Sequence, residues 1–130
     1  ESRSVGPHAL ILEKKEALAD AEKLLEDVKR STRSMKPKAR NYVIEHFEYF
    51  VLFGRGCAVL LEAMVHYYHL LQDKNCGDIP DRKRLAELSL EIETIADQWK
   101  EKQPFDEWQV YARLTEWKKE FDILVNDSNE

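Results

Sequence analysis

Glu62, His66 and His69 are the residues of this chain whose types and spacing come nearest to chemistry. Set four and three positions apart, they fall within two turns on one face of any helix that carries them. Zinc and iron both accept imidazole and carboxylate. Carboxylate-bridged di-iron bundles, however, use Glu-x-x-His on two helices together with further inward-facing Glu residues. Here the Glu-to-His spacing is four, His46 lies on the same run, and His8 stands at the start of the chain. The group therefore reads as a surface set beside Tyr67 and Tyr68, with no metal and no cofactor expected.

The same residues belong to a longer pattern. Glu48, Arg55, Glu62 and His69 recur every seven positions and share a stripe that drifts about 20° per heptad. Glu45, His66 and Asp73 fall beside it. Such a stripe is either the wet edge of a central helix or a line of buried, paired charges. If buried, Arg55 needs carboxylates from another helix, with Glu91, Glu93 and Asp97 as candidates. In either case the stripe and its tyrosines (Glu48, Arg55, Glu62, His66, His69, Tyr67 and Tyr68) form the first candidate partner-binding surface.

Other chemistries fit less well. Glu48 and Glu62 would stand about 21 Å apart along one straight helix, too far to flank a single bond; Glu62 with His66 is the other acid/base pair within reach. Cys57 lies in an apolar segment, where a thiol is ordinarily inert. No Ser-centred elbow and no phosphate-cradling glycine loop is present. The chain therefore reads as non-catalytic. A basic run, Lys29, Arg30, Arg33, Lys36, Lys38 and Arg40, contains no acid and could attract phosphate, an acidic partner or a lipid surface. It also borders a helix C-terminus, where the dipole favours cations, and a solvated connection is the alternative reading. Trp99, Trp108, Trp117, Tyr42, Tyr49, Tyr67, Tyr68 and Tyr111 could stack on sugars or anchor a protein partner, or fill a core with their polar tips at its edge.

Four helical segments must position these groups. The first, about His8 to Ser31, places Ile11, Ala17, Leu18, Ala21, Leu24, Leu25 and Val28 on one face, and Pro7 suits its first turn. The second begins near Pro37 with Ser34 as candidate N-cap. It ends around Asn75-Cys76-Gly77, where Gly77 can take the left-handed cap conformation. From Phe47 to Leu71 this segment is apolar nearly all round, as a helix with neighbours on most sides would be. At about 50 Å it is unusually long, and Gly54-Arg55-Gly56 suggests a bend or a close helix crossing there. The third opens at Asp78-Ile79-Pro80-Asp81 and stops before Pro104, with Leu85, Leu88, Ile92, Ile95 and Trp99 spaced 3-4-3-4 as a packing seam. The fourth runs from about Phe105 to Val125, with Val110, Leu114, Trp117, Phe121 and Leu124 spaced 4-3-4-3 and Trp108 and Tyr111 broadening that face. The tail Asn126 to Glu130 reads as frayed. No strand alternation and no repeat is found. The expected fold is all-α: an antiparallel four-helix up-down bundle with one unusually long central helix, a single domain over residues 1–130.

Composition agrees with a soluble domain of this kind. The chain has 130 residues, 43% hydrophobic and 35% charged, with a net charge of −5. That balance argues against disorder and against nucleic acid as a partner for the whole surface. Glu48, Arg55 and Glu62 interrupt the apolar run, whereas a membrane span takes about 20 nearly uncharged residues, so no span is expected. The start, Glu-Ser-Arg-Ser-Val-Gly-Pro, has no apolar leader, and suggests a processed chain or a segment of a longer protein. Cys57 and Cys76 would lie over about 20 Å apart on or beside one helix, beyond disulfide reach.

Lys15 to Val28, Tyr42-Val43-Ile44-Glu45-His46-Phe47-Glu48-Tyr49 and Leu60-Leu61-Glu62-Ala63-Met64-Val65-His66-Tyr67-Tyr68 together have a distinct texture of aromatic-rich helices. In that layout the chain resembles the accessory helical region behind the catalytic barrel of some large bacterial polysaccharide-degrading enzymes. The resemblance covers about two thirds of the chain and implies a non-catalytic role, since the chemistry of such enzymes resides in the barrel. The leading expectation is a structural or protein-interaction module that meets a partner protein or the remainder of its own parent chain. An accessory domain of a carbohydrate-active enzyme and a small-ligand or metal-binding bundle are the alternatives, with an anionic ligand at the basic run.

Overall fold

The computed structural model of the chain describes residues 6–72, 79–102 and 109–127. Asp73, Cys76, the expected Gly77 cap, Pro104, Trp108 and the end of the tail lie outside the described residues. The described residues form four α-helices and no strand, so the protein is all-α.

Helix α1, Pro7–Ser31, starts on an extended Gly6 whose carbonyl accepts from the amides of Ala9 and Leu10, both at 3.1 Å. Pro7 fills the first position, where its missing N–H costs no hydrogen bond. The helix ends at Thr32, whose amide (3.1 Å) and hydroxyl (2.7 Å) both donate to Val28 O. Lys29 and Arg30 in the last turn complement the dipole. Helix α2, Pro37–Gln72, opens with the Arg40 amide donating to Lys36 O at 2.8 Å. The cap position therefore falls on Lys36, immediately before the preset φ of Pro37. Ser34, expected as the cap, lies instead in the preceding turn, where the Met35 amide bonds Thr32 O at 3.0 Å. Helix α2 runs uninterrupted through Gly54-Arg55-Gly56. A methyl group added at Gly54 would meet Leu18 at 3.7 Å, an ordinary contact, so no close crossing requires glycine there.

Helix α3 is Ile79–Lys102 and α4 is Val110–Asn126. The fourth helix was expected from Phe105, but Gln109 adopts left-handed backbone (φ 56°, ψ 32°). A right-handed helix cannot pass through that conformation, so the described helix starts at Val110.

The chain divides into two compact units, residues 1–58 and 59–130, with the boundary inside α2. In the first, α1 and the start of α2 run antiparallel. Leu18 lies beside Gly54, Glu22 pairs with Arg55, and Lys29 meets both Glu48 and Arg40. Ile11, Leu25, Val51, Leu52 and Ala58 are its buried apolar residues.

In the second unit, the end of α2 runs antiparallel to α3, with Glu62 against Arg84 and His66 against Asp81. Helices α3 and α4 are also antiparallel. Ser89 Oγ donates to Asp122 at 2.5 Å, and Arg82 reaches the carbonyls of Leu124 (2.6 Å) and Val125 (3.3 Å) in the last turn of α4. A cation there satisfies acceptors the helix leaves open. The expected seam of Leu85, Leu88, Ile92, Ile95 and Trp99 is buried throughout, facing a core that includes Ala63, Leu70, Leu114 and Phe121. Phe121 stacks on Trp117 (centroids 5.4 Å apart), and Tyr67 presents an edge to both rings.

By length and composition α2 could cross a membrane, with a mean hydropathy of 1.4 over its most apolar 18-residue window; 33% of that window is buried within the protein. Two of the charges that interrupt it are engaged by neighbouring helices, Arg55 by Glu22 and Glu62 by Arg84.

Candidate functional site

The heptad stripe of α2 is graded rather than uniform. Glu48 and Arg55 are about one-third exposed at the side chain, and Arg55 NH2 donates to Glu22 of α1 at 3.1 Å. Partners on the third helix were candidates only for a buried Arg55, and its side chain is 38% exposed. Heptad spacing shows that Arg55 faces a neighbour but not which one, and the neighbour is α1. Glu62 is different. It is only 8% exposed, and Arg84 grips it side-on, with Nε to Oε2 at 2.9 Å and NH2 to Oε1 at 3.1 Å. A buried carboxylate requires such compensation. Hydrogen bonding to Glu62 pushes the Arg84 guanidinium further up from its ordinary value, against the opposing effect of burial.

Around this pair the second unit gathers a polar cluster. His66 and His69 sit one turn apart on α2, while Asp81 and Arg84 sit one turn apart at the start of α3. His66 Nδ1 lies 2.6 Å from Asp81 Oδ1, and its Nε2 lies 3.7 Å from Glu62 Oε2. His69 Nδ1 lies 3.6 Å from the same Asp81 oxygen. One donor atom each from His66, His69 and Asp81 can be enclosed within 4.8 Å. The sequence pattern brought Glu62, His66 and His69 together, and the structure does the same. It missed Asp81 and Arg84, whose only sequence signal is their i, i+3 spacing in the first turns of the third segment.

Tyr67 and Tyr68 diverge although adjacent. Tyr67 packs against Trp117 and Phe121, and burial, with Glu120 and Tyr68 adding, pushes its phenol up from the ordinary value. Tyr68 is exposed. Tyr111 instead lies under the Lys100 ammonium, 4.9 Å from ring centre to nitrogen.

The basic run is partly absorbed by the fold. Arg40 donates to Lys29 O at 2.9 Å, Lys29 pairs with Glu26 (3.6 Å) and Glu48 (4.0 Å), and Arg30 pairs with Asp27. Arg33, Lys36 and Lys38 are exposed in and beside the turn before α2.

Among the aromatics, Trp99 is core, whereas Tyr42 (64% exposed) and Phe50 (60%) are not. With Ala39, His46, Phe53 and Cys57 they occupy one sector of α2 about 80° wide, and every one of these residues is exposed. Cys57 belongs to this sector. Its surface is reachable, yet the apolar face around it desolvates the thiolate and pushes the thiol up, with Lys14 pulling weakly the other way. A raised thiol holds less thiolate at neutral pH. Iodoacetamide should therefore alkylate Cys57 of a Cys76→Ser variant several-fold more slowly than a small free thiol at pH 7.5. The gap should close as pH rises through the raised value. Peptide mass spectrometry reads this directly, and alkylation as fast as the free thiol at pH 7.5 would contradict it.

No family model, curated protein or solved structure matches the chain. The likeness to accessory regions of polysaccharide-degrading enzymes thus has the sequence texture alone behind it.

Proposed function

We propose that this chain is a non-catalytic helical docking module whose exposed sector of α2 receives an apolar helix of a partner protein. The observation that carries the reading is the exposure of Tyr42 and Phe50 on the most apolar helix of the chain. Aromatic side chains supply large contact area with few torsions to freeze, and they dominate binding energy at protein interfaces. The sector Ala39, Tyr42, His46, Phe50, Phe53 and Cys57 carries no formal charge when His46 is neutral. From Tyr42 to Phe53 it extends about 17 Å, long enough to run beside about three turns of a partner helix. In this proposal the four helices form an antiparallel up-down bundle. The antiparallel pairings of α1 with α2, α2 with α3, and α3 with α4 support that arrangement. Helix α2 is then its core helix rather than a membrane span, and the engaged Arg55 and Glu62 support that.

A photo-crosslinking amino acid at Phe50 tests the reading, with the same probe at exposed Lys23 as the control. Crosslinking to one protein from Phe50 but not from Lys23, followed by binding of that purified protein, is the expected result. The double variant Phe50→Ser/Phe53→Ser should weaken that binding at least tenfold. Equal crosslinking from both positions, crosslinks only to a second copy of the chain, or capture by lipid vesicles would overturn it.

A further inference from the structure

We propose that His66, His69 and Asp81 form a binding site for a divalent first-row transition ion, with zinc as its leading occupant. The site goes beyond the docking function and shares no residue with the exposed sector of α2.

Three observations converge on it. The first is position. Two imidazoles one turn apart on α2 meet a carboxylate from α3, and one donor atom from each lies within 4.8 Å of the others. Asp81 Oδ1 stands 2.6 Å from His66 Nδ1 and 3.6 Å from His69 Nδ1. Around a tetrahedral zinc with bonds of about 2.0–2.1 Å, donor atoms stand about 3.3 Å apart. The first separation must open by about 0.7 Å and the second close by about 0.3 Å to meet that spacing. The three side chains are 15%, 38% and 16% exposed, shielded enough to hold an ion and open enough to admit one.

The second is what stands behind the ligands. His66 turns its other nitrogen, Nε2, toward Glu62 Oε2 at 3.7 Å, and Arg84 fixes Glu62 in place. A carboxylate behind a ligating imidazole places the proton on the outer nitrogen and makes the inner one a better donor. In the metal-free protein His66 Nδ1 lies 2.6 Å from Asp81 Oδ1, and an ion bound at both atoms would take the place of that contact.

The third is charge and hardness. Asp81 brings one negative charge to the ion, and the charge of Glu62 is already met by Arg84. Magnesium and calcium favour all-oxygen shells, whereas a pair of imidazoles selects zinc, cobalt, nickel or copper. Three protein ligands leave a fourth position for water.

The test uses the full chain and the metals alone. Calorimetric titration with zinc should show one equivalent bound, and cobalt(II) should give visible d–d absorption at the same stoichiometry. His69→Gln and Asp81→Asn should each lower zinc affinity tenfold or more and change the cobalt spectrum. His69 is over a third exposed, so His69→Gln should leave the melting temperature of the metal-free protein unchanged and separate ligation from folding. Absence of saturable zinc binding would overturn the proposal. So would equal zinc affinity in the wild type and both variants, or binding that disappears on replacing Cys57 and Cys76 with serine.

Discussion

Phe121→Ala is expected to lower the unfolding free energy by about 3–5 kcal/mol, a fall in Tm of about 10–20 °C for a chain of this size. Phe121 is fully buried, and its ring is contacted from two helices, stacked by Trp117 of α4 and met edge-on by Tyr67 of α2. Truncation removes the transfer free energy of the ring and leaves a void that two rigid aromatic neighbours cannot close, so the cost should lie at the upper end for core deletions. Ile123→Ala, two positions along the same helix but 65% exposed, should change stability by less than about 0.5 kcal/mol. Thermal melts followed by circular dichroism decide the matter. A Phe121→Ala protein melting within 2 °C or so of wild type would mean that these rings do not form a packed core.

The second large effect is electrostatic and has an unusual signature. Arg84→Ala should destabilise by about 2–3 kcal/mol, because it strands the Glu62 carboxylate in a buried position without its bidentate partner. Arg84 is itself one-third exposed, so solvent screening keeps the figure below that of a fully enclosed pair. Replacing both partners, Glu62→Leu with Arg84→Leu, should restore stability to within about 1 kcal/mol of wild type, since the desolvation penalty and the attraction leave together. Denaturant unfolding of the two single variants and the double variant closes the cycle. A double variant no better than Arg84→Ala would show that Arg84 acts through packing of its stem rather than through charge.

The contrast between these sites explains what the sequence could and could not disclose. The seam Leu85 to Trp99 and the face Leu114 to Phe121 were legible because burial imposes a period on the chain, and period survives without knowledge of the neighbour. Pairing leaves no such trace. For a buried Arg55 the sequence offered only candidates on the third helix, yet the carboxylate it pairs with, Glu22, lies on α1, since a charge at a given helical angle says nothing about which element faces it. Asp81 and Arg84 were passed over for the same reason; they become site residues only when α3 folds back along α2. The basic run was a real feature of composition, but Arg40 spends its reach on the Lys29 carbonyl, a contact that charge counting cannot see. The late start of α4 had no signal at all, because Gln109 is a residue type that seldom adopts left-handed backbone.

The grip of Arg82 on the carbonyls of Leu124 and Val125 has a consequence for the order of synthesis. The two ends of this contact are more than forty residues apart, and Ser89 likewise waits for Asp122. A ribosome adds about 5–20 residues per second, so Arg82 is made some 2–8 s before its partners in the last turn of α4. During that interval the apolar seam of α3 lacks its contacts to α4, an opening for chaperones or for misassociation. The α3–α4 hairpin is therefore completed only after the last turn of α4 has left the ribosome.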